Sequence, residues 1–282
     1  MKNIITLTLG FLFIISQSIA QENSLLWKIS GKDLKKESYI LGTIHLICEE
    51  DYTELKKIAT VSSKVDQVIF ELNMNDPAIA QQAQALAMTP NTDFVNQMTD
   101  EQRNLIDSAL TANQLSLQMF DIVSPATVIS LLTLKAFACS DLSKIRSIEK
   151  EVLALNPNKP VYDLETLEFQ MDVLNKLATP KYFYDYFKNY ADHSKLTKQL
   201  VDYYNAEDLE GLKAMFTNEK YMTNDQFKLM LTDRNVKWTK DIPVKIKNTS
   251  TLIAIGAGHL VGDTGLIQLL KNDGYNVTPV YN

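Results

Sequence analysis

The chain has little of what builds several specialised classes of protein. Its 282 residues include only 2 cysteines, 9 glycines and 8 prolines. Two cysteines exclude a disulfide-dense scaffold and a cysteine-rich zinc module, and so little glycine and proline excludes collagen-like and low-complexity chains. Basic residues are also outnumbered, with 28 Lys and Arg against 34 Asp and Glu. The resulting charge of −6 argues against nucleic acid as a partner, since phosphate binding needs a basic surface.

A long apolar run is absent after residue 20, where no stretch approaches the roughly 20 apolar residues that cross a bilayer. Within the first 20 residues, Lys2 is followed by an almost wholly apolar run at 4–15. Ser18 and Ala20 then occupy the two positions of a small-residue cleavage site. This pattern predicts a signal peptide at 1–20, removed before Gln21. An uncleaved anchor is the alternative. We therefore expect an exported protein, periplasmic or secreted, with no membrane span after cleavage.

Short apolar runs rich in strand-forming residues frame both ends of the chain, and helical patterns fill the middle. The predicted strands are residues 25–30, 38–41, 67–72, 159–164, 251–255 and 275–281. The first two are joined by turn residues and predict a hairpin. We expect an α/β fold, with a mixed sheet covered by helices. Residues 21–282 form one domain in this prediction, with a helical insert at about 76–158 and further helices at about 166–247.

Two of the three histidines follow a strand in a Gly-x-x-His sequence. His45 comes after the strand at 38–41, and His259 comes after the strand at 251–255. Ligands of open α/β sheets collect at the carboxyl ends of the strands, so both histidines are candidate site residues. The third, His193, is predicted to be a solvated surface residue or a residue at a helix start.

Two carboxylates, Glu71 and Glu165, also end predicted strands. If the four strands are neighbours, two imidazoles and two carboxylates converge on one crevice. That set suits a divalent metal such as zinc, manganese or cobalt, and a metal there would serve hydrolysis. Each residue also has an ordinary structural explanation. The histidines can belong to hydrogen-bonded turns, Glu71 can cap or pair with a basic residue, and Glu165 can favour the start of the next helix.

Cys48 and Cys139 could form a disulfide in an exported protein. Two buried free thiols are the alternative, and the sequence leaves the choice open.

Several short motifs together carry a resemblance that spans almost the whole chain after residue 20. They are LWKI at 26–29, LGTIH at 41–45, FEL at 70–72, LETLEFQ at 164–170, DRN at 233–235 and GAGHLVGDTGL at 256–266. In this order the motifs resemble the TraB/GumN family. That family includes the secreted TIKI-type metalloproteases and is distantly similar to erythromycin-esterase and ChaN-like proteins.

The resemblance implies a catalytic set of His45, His259, Glu71 and Arg234, with His45, His259 and Glu71 holding the metal. Glu165 is a further catalytic candidate, as a ligand, as the general base or as the partner of Arg234. The implied function is metal-dependent hydrolysis of a peptide or protein substrate. The implied alternative is a non-catalytic protein that captures peptides, as in pheromone shutdown.

Overall fold

Six β-strands form a single mixed sheet within the part of the chain that the structure describes. The structure is a computed structural model, and it describes residues 23–54 and 56–281. The predicted signal peptide lies outside the described residues. The strands are β1 (Leu26–Ser30), β2 (Ser38–Thr43), β3 (Gln67–Phe70), β4 (Val161–Asp163), β5 (Thr251–Gly256) and β6 (Asn276–Pro279). The predicted α/β class, with a mixed sheet, is confirmed.

The order of the strands across the sheet is β4-β3-β5-β2-β1-β6. The four strands from β4 to β2 run parallel to one another, whereas β1 is antiparallel to both β2 and β6. The predicted hairpin is therefore formed by β1 and β2. Every residue of β2 is buried, as expected for a parallel strand covered on both faces. Because parallel strands share their direction, the carboxyl ends of these four strands meet at one edge of the sheet.

Helices provide most of the remaining structure. They are α1 (Lys56–Ser62), α2 (Pro77–Ala87), α3 (Asp100–Ala112), α4 (Pro125–Ala136), α5 (Ile148–Leu155), α6 (Leu167–Leu177), α7 (Pro180–Lys188), α8 (Tyr190–Asn205), α9 (Leu209–Phe216), α10 (Asn224–Phe227), α11 (Asp233–Ile246) and α12 (Leu266–Asn272). A π turn at Lys228–Thr232 joins α10 to α11 without a break. No helix in the described ranges has the length and apolar character needed to cross a membrane.

A tight turn between β5 and α12 determines where the helix begins. Gly262 adopts a φ of +78°, and the amide of Gly265 donates to the carbonyl of Gly262 at 3.0 Å. A Cβ atom at Gly265 would lie 2.4 Å from the carbonyl oxygen of Leu260, so only glycine fits. The helix can start only after this tight turn, at Leu266.

Two apolar cores support the molecule. The larger surrounds the sheet, with Trp27 and Trp238 among its fully buried side chains. The smaller lies among helices α3, α4 and α7, where Phe94, Phe120 and Phe183 pack with ring centroids 4.6 to 5.5 Å apart. Helix α7, which follows β4 in sequence, thus packs against helices that precede β4.

The segment after β2 is fastened to the helices between β3 and β4. Cys48 and Cys139 form a disulfide, which resolves the alternative left open by the sequence. Beside it, Ile47 and Arg146 exchange two backbone hydrogen bonds, of 3.0 and 2.9 Å. The segment that carries His45 therefore leaves the sheet at β2 and is anchored to the helical region between β3 and β4.

Candidate active site

The four candidate residues predicted at strand ends lie along one edge of the sheet. Strands β4, β3, β5 and β2 are consecutive, and the segments that follow them carry Glu165, Glu71, His259 and His45 respectively. The strands pair in parallel, so all four side chains leave the sheet at the same edge. The parallel pairing thus brings together residues that are far apart in sequence.

Three of these side chains surround the last residue of β5, Gly256. A Cβ atom there would lie 3.2 Å from Oε1 of Glu71, 3.7 Å from Cδ2 of His259 and 3.7 Å from Nε2 of His45. We call this position the Gly256 point. Because glycine has no side chain, the space among the two imidazoles and the carboxylate is kept open.

His259 is buried, and its ring orientation is set by Asn235 of α11. The Asn235 amide nitrogen donates to two carbonyls, those of His259 at 3.2 Å and Thr264 at 2.8 Å. The amide oxygen is thereby left as acceptor for Nδ1 of His259, at 2.6 Å. Nδ1 must carry the proton, so Nε2, which lies 3.7 Å from Oε1 of Glu71, keeps its lone pair. Burial lowers the pKa of His259 to about 3, against the opposing charge of Glu71, so the ring is neutral.

Both oxygens of Glu71 have hydrogen-bond donors. Oε1 accepts from the amide of Gly256 at 2.7 Å, and Oε2 accepts from the guanidinium of Arg234 at 2.5 Å. Burial alone would raise the pKa of Glu71. With His259 neutral, the charges of Arg234 and His45 and the hydrogen bond from the Gly256 amide outweigh burial and hold the pKa of Glu71 below its usual range. Glu71 is therefore a carboxylate throughout the physiological pH range.

Arg234 is buried, and its guanidinium is largely committed to protein acceptors. It binds Glu165 through two hydrogen bonds, from Nε at 2.9 Å and from Nη2 at 2.8 Å. Nη1 donates to the carbonyl of Met230, within the π turn, at 3.0 Å. Gln170 donates to Glu165 as well, at 3.2 Å. Glu165 thus directs both oxygens to these donors, and Arg234 connects it to Glu71.

His45 differs from His259 in being exposed: its side chain retains 66% of its accessible surface. Nδ1 of His45 lies 2.9 Å from Oε1 of Glu149, which also accepts from Thr43 at 2.8 Å. The other Glu149 oxygen accepts from Ser147 at 3.1 Å. Desolvation opposes protonation of the His45 ring, but the hydrogen bond and charge of Glu149, with the charge of Glu71, prevail and raise the pKa to about 9.

Comparison with known proteins identifies the chain's relatives. The family described as TraB/PrgY/gumN matches residues 25–279, nearly the whole of the described chain. The chain belongs to the TraB/PrgY/gumN family. The resemblance found in the sequence motifs is thereby confirmed. Searches of curated proteins and of solved structures return no significant match.

In this member of the TraB/PrgY/gumN family, two residues of the site were not singled out as candidates by sequence reasoning. Glu149 lies in the first turn of α5, where an acidic residue is ordinary because it favours the helix dipole. Asn235 stands in the DRN motif beside Arg234, and that motif was its only signal. Both act on the Nδ1 atoms of the site histidines, a relationship that only the folded chain reveals.

His193 occupies the first turn of α8, as the prediction of a helix-start residue requires, and it is half-buried rather than fully solvated. Its ring stacks on Tyr186 with centroids 3.8 Å apart, and Nε2 lies 3.0 Å from the Tyr186 carbonyl oxygen. Tyr186 of α7 therefore covers one face of the His193 ring.

The donor types at the Gly256 point fit a divalent metal ion. In both histidines Nδ1 is engaged by a side-chain oxygen and Nε2 is left as the ligand atom, the usual arrangement of metal-binding histidines. For His45, whose pKa is about 9, a bound ion would have to displace the proton from Nε2. The distances among these side chains fit a metal ion less well than their chemical types do. Across residues 23–54 and 56–281, no group of three or more His, Cys, Asp or Glu side chains is close enough to hold a metal ion.

Proposed function

We propose that this protein is an exported, metal-dependent hydrolase that cleaves peptides. The observation that supports it best is the convergence on the Gly256 point, where Glu71 and two imidazoles lie within 3.7 Å of one position. A neutral buried histidine, an ionised carboxylate and a second histidine on the solvent side make a polar site open to substrate. Packing alone does not explain such a set, because polar groups are costly to bury.

His45, His259 and Glu71 are the residues that would hold the ion, with zinc, manganese or cobalt as the candidates. When bound, such an ion polarises a carbonyl group and makes a water molecule more acidic. His259 contributes a neutral ring whose Nε2 lone pair is available. His45 contributes its Nε2 from the exposed side, where a peptide can approach.

The two carboxylates and Arg234 take different parts in this proposal. Glu71 is the carboxylate that lies at the Gly256 point, so we assign to Glu71 the negative charge that would balance a bound ion. Glu165 is not among the side chains nearest the Gly256 point, and its oxygens accept from Arg234 and Gln170. Arg234 holds Glu71 ionised and in place. Arg234 and Glu165 are therefore positioning residues in this mechanism.

Export is supported by the pattern of residues 1–20 and by the disulfide between Cys48 and Cys139. Disulfides persist in oxidising compartments and are rare in the cytosol. We place the protein in the periplasm or outside the cell, where its substrates would be exported peptides.

The test is to measure bound metal and peptide cleavage in the purified protein and in three variants. His45→Ala and His259→Ala each remove one imidazole from the Gly256 point. His193→Ala is the matched control, since its ring stacks on Tyr186 in the helical region. We expect the first two variants to lose metal and cleavage while the control keeps both. Retention of both properties in both site variants would overturn the proposal.

Non-catalytic peptide capture is the second candidate, and two observations favour it. The described side chains include no three-donor cluster at metal-binding spacing, and the ion pair with Arg234 already occupies Glu71. Mass spectrometry separates the two functions. A peptide that binds tightly and is recovered intact, with or without added metal, supports capture, whereas defined fragments support hydrolysis.

A further inference from the structure

Glu149 reaches the site from a part of the fold that the sheet does not supply. It is carried by the first turn of α5, yet its Oε1 accepts from Thr43, the last residue of β2, at 2.8 Å and lies 2.9 Å from Nδ1 of His45. Its Oε2 accepts from Ser147 at 3.1 Å. The Glu149 side chain is only 14% exposed. The largely buried carboxylate of Glu149 thus contacts the exposed ring of His45.

The contact selects which nitrogen of His45 faces the site. A carboxylate can only accept hydrogen bonds, so the proton of a neutral His45 ring must reside on Nδ1. Nε2, which lies 3.7 Å from the Gly256 point, then keeps its lone pair. An exposed imidazole without this partner would rotate freely and would lose entropy on being fixed.

The same arrangement is found at the other histidine. Asn235 accepts from Nδ1 of His259 at 2.6 Å and is itself fixed by two carbonyls. Thr43 and Ser147 fix Glu149 in the corresponding way. Both histidines are therefore oriented from the Nδ1 side by a side chain of another element. His259 presents Nε2 to Glu71 and His45 presents Nε2 to the Gly256 point.

We propose that Glu149 is the positioning residue of His45, fixing its tautomer and its ring orientation toward the Gly256 point. This inference rests on the proposed function, in which Nε2 of His45 works at that point. It also assigns a purpose to the contacts beside it. The disulfide and the Ile47–Arg146 hydrogen bonds hold the His45 segment against the helical region that bears Glu149.

The experiment is nuclear magnetic resonance of the imidazole nitrogens in ¹⁵N-histidine-labelled protein, without added metal, at a pH above the His45 pKa of about 9, where the ring is neutral. Three histidines give three resolvable patterns, and His45→Gln assigns the relevant one. The variants are Glu149→Ala and the isosteric Glu149→Gln. Glu151→Gln is the matched control, because Glu151 lies on the same helix and pairs with Arg146 instead of His45. Thermal unfolding establishes that each variant is folded.

We expect the Nδ1–H tautomer for His45 in the native protein and in Glu151→Gln. Glu149→Ala should shift the ring toward the Nε2–H tautomer that free histidine prefers, and Glu149→Gln should shift it partly, because an uncharged acceptor is weaker. If Glu149→Ala does not fold, the Gln variant alone decides. An unchanged His45 tautomer in the folded variants would overturn the proposal and would show that Glu149 only supports the helix start.

The tautomer measurement needs no catalysis, so it separates this inference from the proposed function. A tautomer that depends on Glu149 in a protein without peptidase activity would sustain the positioning role and reject the hydrolase. Where cleavage is present, removing such an orienting partner should lower kcat by about 10- to 100-fold. KM should change less, because His45 is still present to meet the substrate.

Discussion

Arg234 and Glu165 form a bidentate ion pair, in which Nε and Nη2 of the guanidinium donate to the two carboxylate oxygens at 2.9 and 2.8 Å. The same Nη2 reaches Glu71 at 2.5 Å. One buried cation therefore balances two buried carboxylates, and of these only Glu71 lies at the Gly256 point.

Removing this cation should destabilise the fold. Arg234→Met would leave Glu71 and Glu165 buried beside each other without a counter-charge, and breaking a buried pair in this way typically costs roughly 3–5 kcal/mol. Urea unfolding measures the loss. Lys237→Met on the same helix is the control, because the exposed Lys237–Asp241 pair should contribute less than about 1 kcal/mol. If both variants lost the same small free energy of unfolding, the claim that Arg234 balances the two buried carboxylates would be contradicted.

Stability should fall in mild acid because of His259. Its pKa is about 3 in the folded protein, against about 6.5 in an unfolded chain. The contribution of the neutral ring to folding is therefore complete above about pH 6.5 and is lost as the pH falls toward the folded value, since the unfolded chain takes up the proton first. The free energy of unfolding should decrease by up to about 1.4 kcal/mol per pH unit from this group.

Urea unfolding of the native protein and of His259→Gln at several pH values isolates this contribution. The variant should show a shallower decline below about pH 6.5, because the other titrating groups are common to both proteins. Parallel curves would mean that His259 is not held neutral by burial.

Reduction of the disulfide should lower stability. Cys48 and Cys139 are separated by 91 residues, so the bond restricts a long loop of the unfolded chain, an effect worth roughly 2–5 kcal/mol. A reductant should shift the urea midpoint downward and speed hydrogen exchange of the Ile47 amide. The Cys48→Ala/Cys139→Ala double variant should not respond to the reductant, and an unchanged midpoint in the native protein would contradict the expectation.

Gly256→Ala should impair function more than folding. The backbone at Gly256, with φ −53° and ψ 134°, suits any residue, but the added methyl group would occupy the Gly256 point. We expect a small change in the unfolding midpoint and a loss of metal affinity of about tenfold or more, as for other disturbances close to metal ligands.

Gly258→Ala is the neighbouring control, because a Cβ atom there would lie 3.1 Å from the ring of Phe216 rather than near the site histidines. Metal binding should survive in this variant. Equal metal affinity in Gly256→Ala and the native protein would mean that the Gly256 point is not the binding position.

Sequence reasoning reached the strand-end residues because their signal is local. A histidine or glutamate directly after an apolar strand is visible without knowledge of the neighbours, as at His45, Glu71 and His259. The adjacency of the strands is not local, since it depends on how distant segments pack. The condition that the strands be neighbours is met because β3 pairs with β5 and β5 with β2.

The partners of the histidines escaped prediction for the same reason. Glu149 resembles any acidic residue at a helix start, and Asn235 resembles any polar residue on a helix. The pairing of Cys48 with Cys139 also depends on tertiary placement, so the sequence left it open.

The most direct test of the shared site is a titration of the ¹⁵N-histidine-labelled protein with Mn²⁺, followed by nuclear magnetic resonance. A paramagnetic ion broadens the signals of nearby nuclei. The account predicts that the His45 and His259 signals disappear together at one equivalent while the His193 signal persists. Loss of only one of the two site signals, or no selective loss at all, would contradict the claim that both imidazoles serve one metal-binding point.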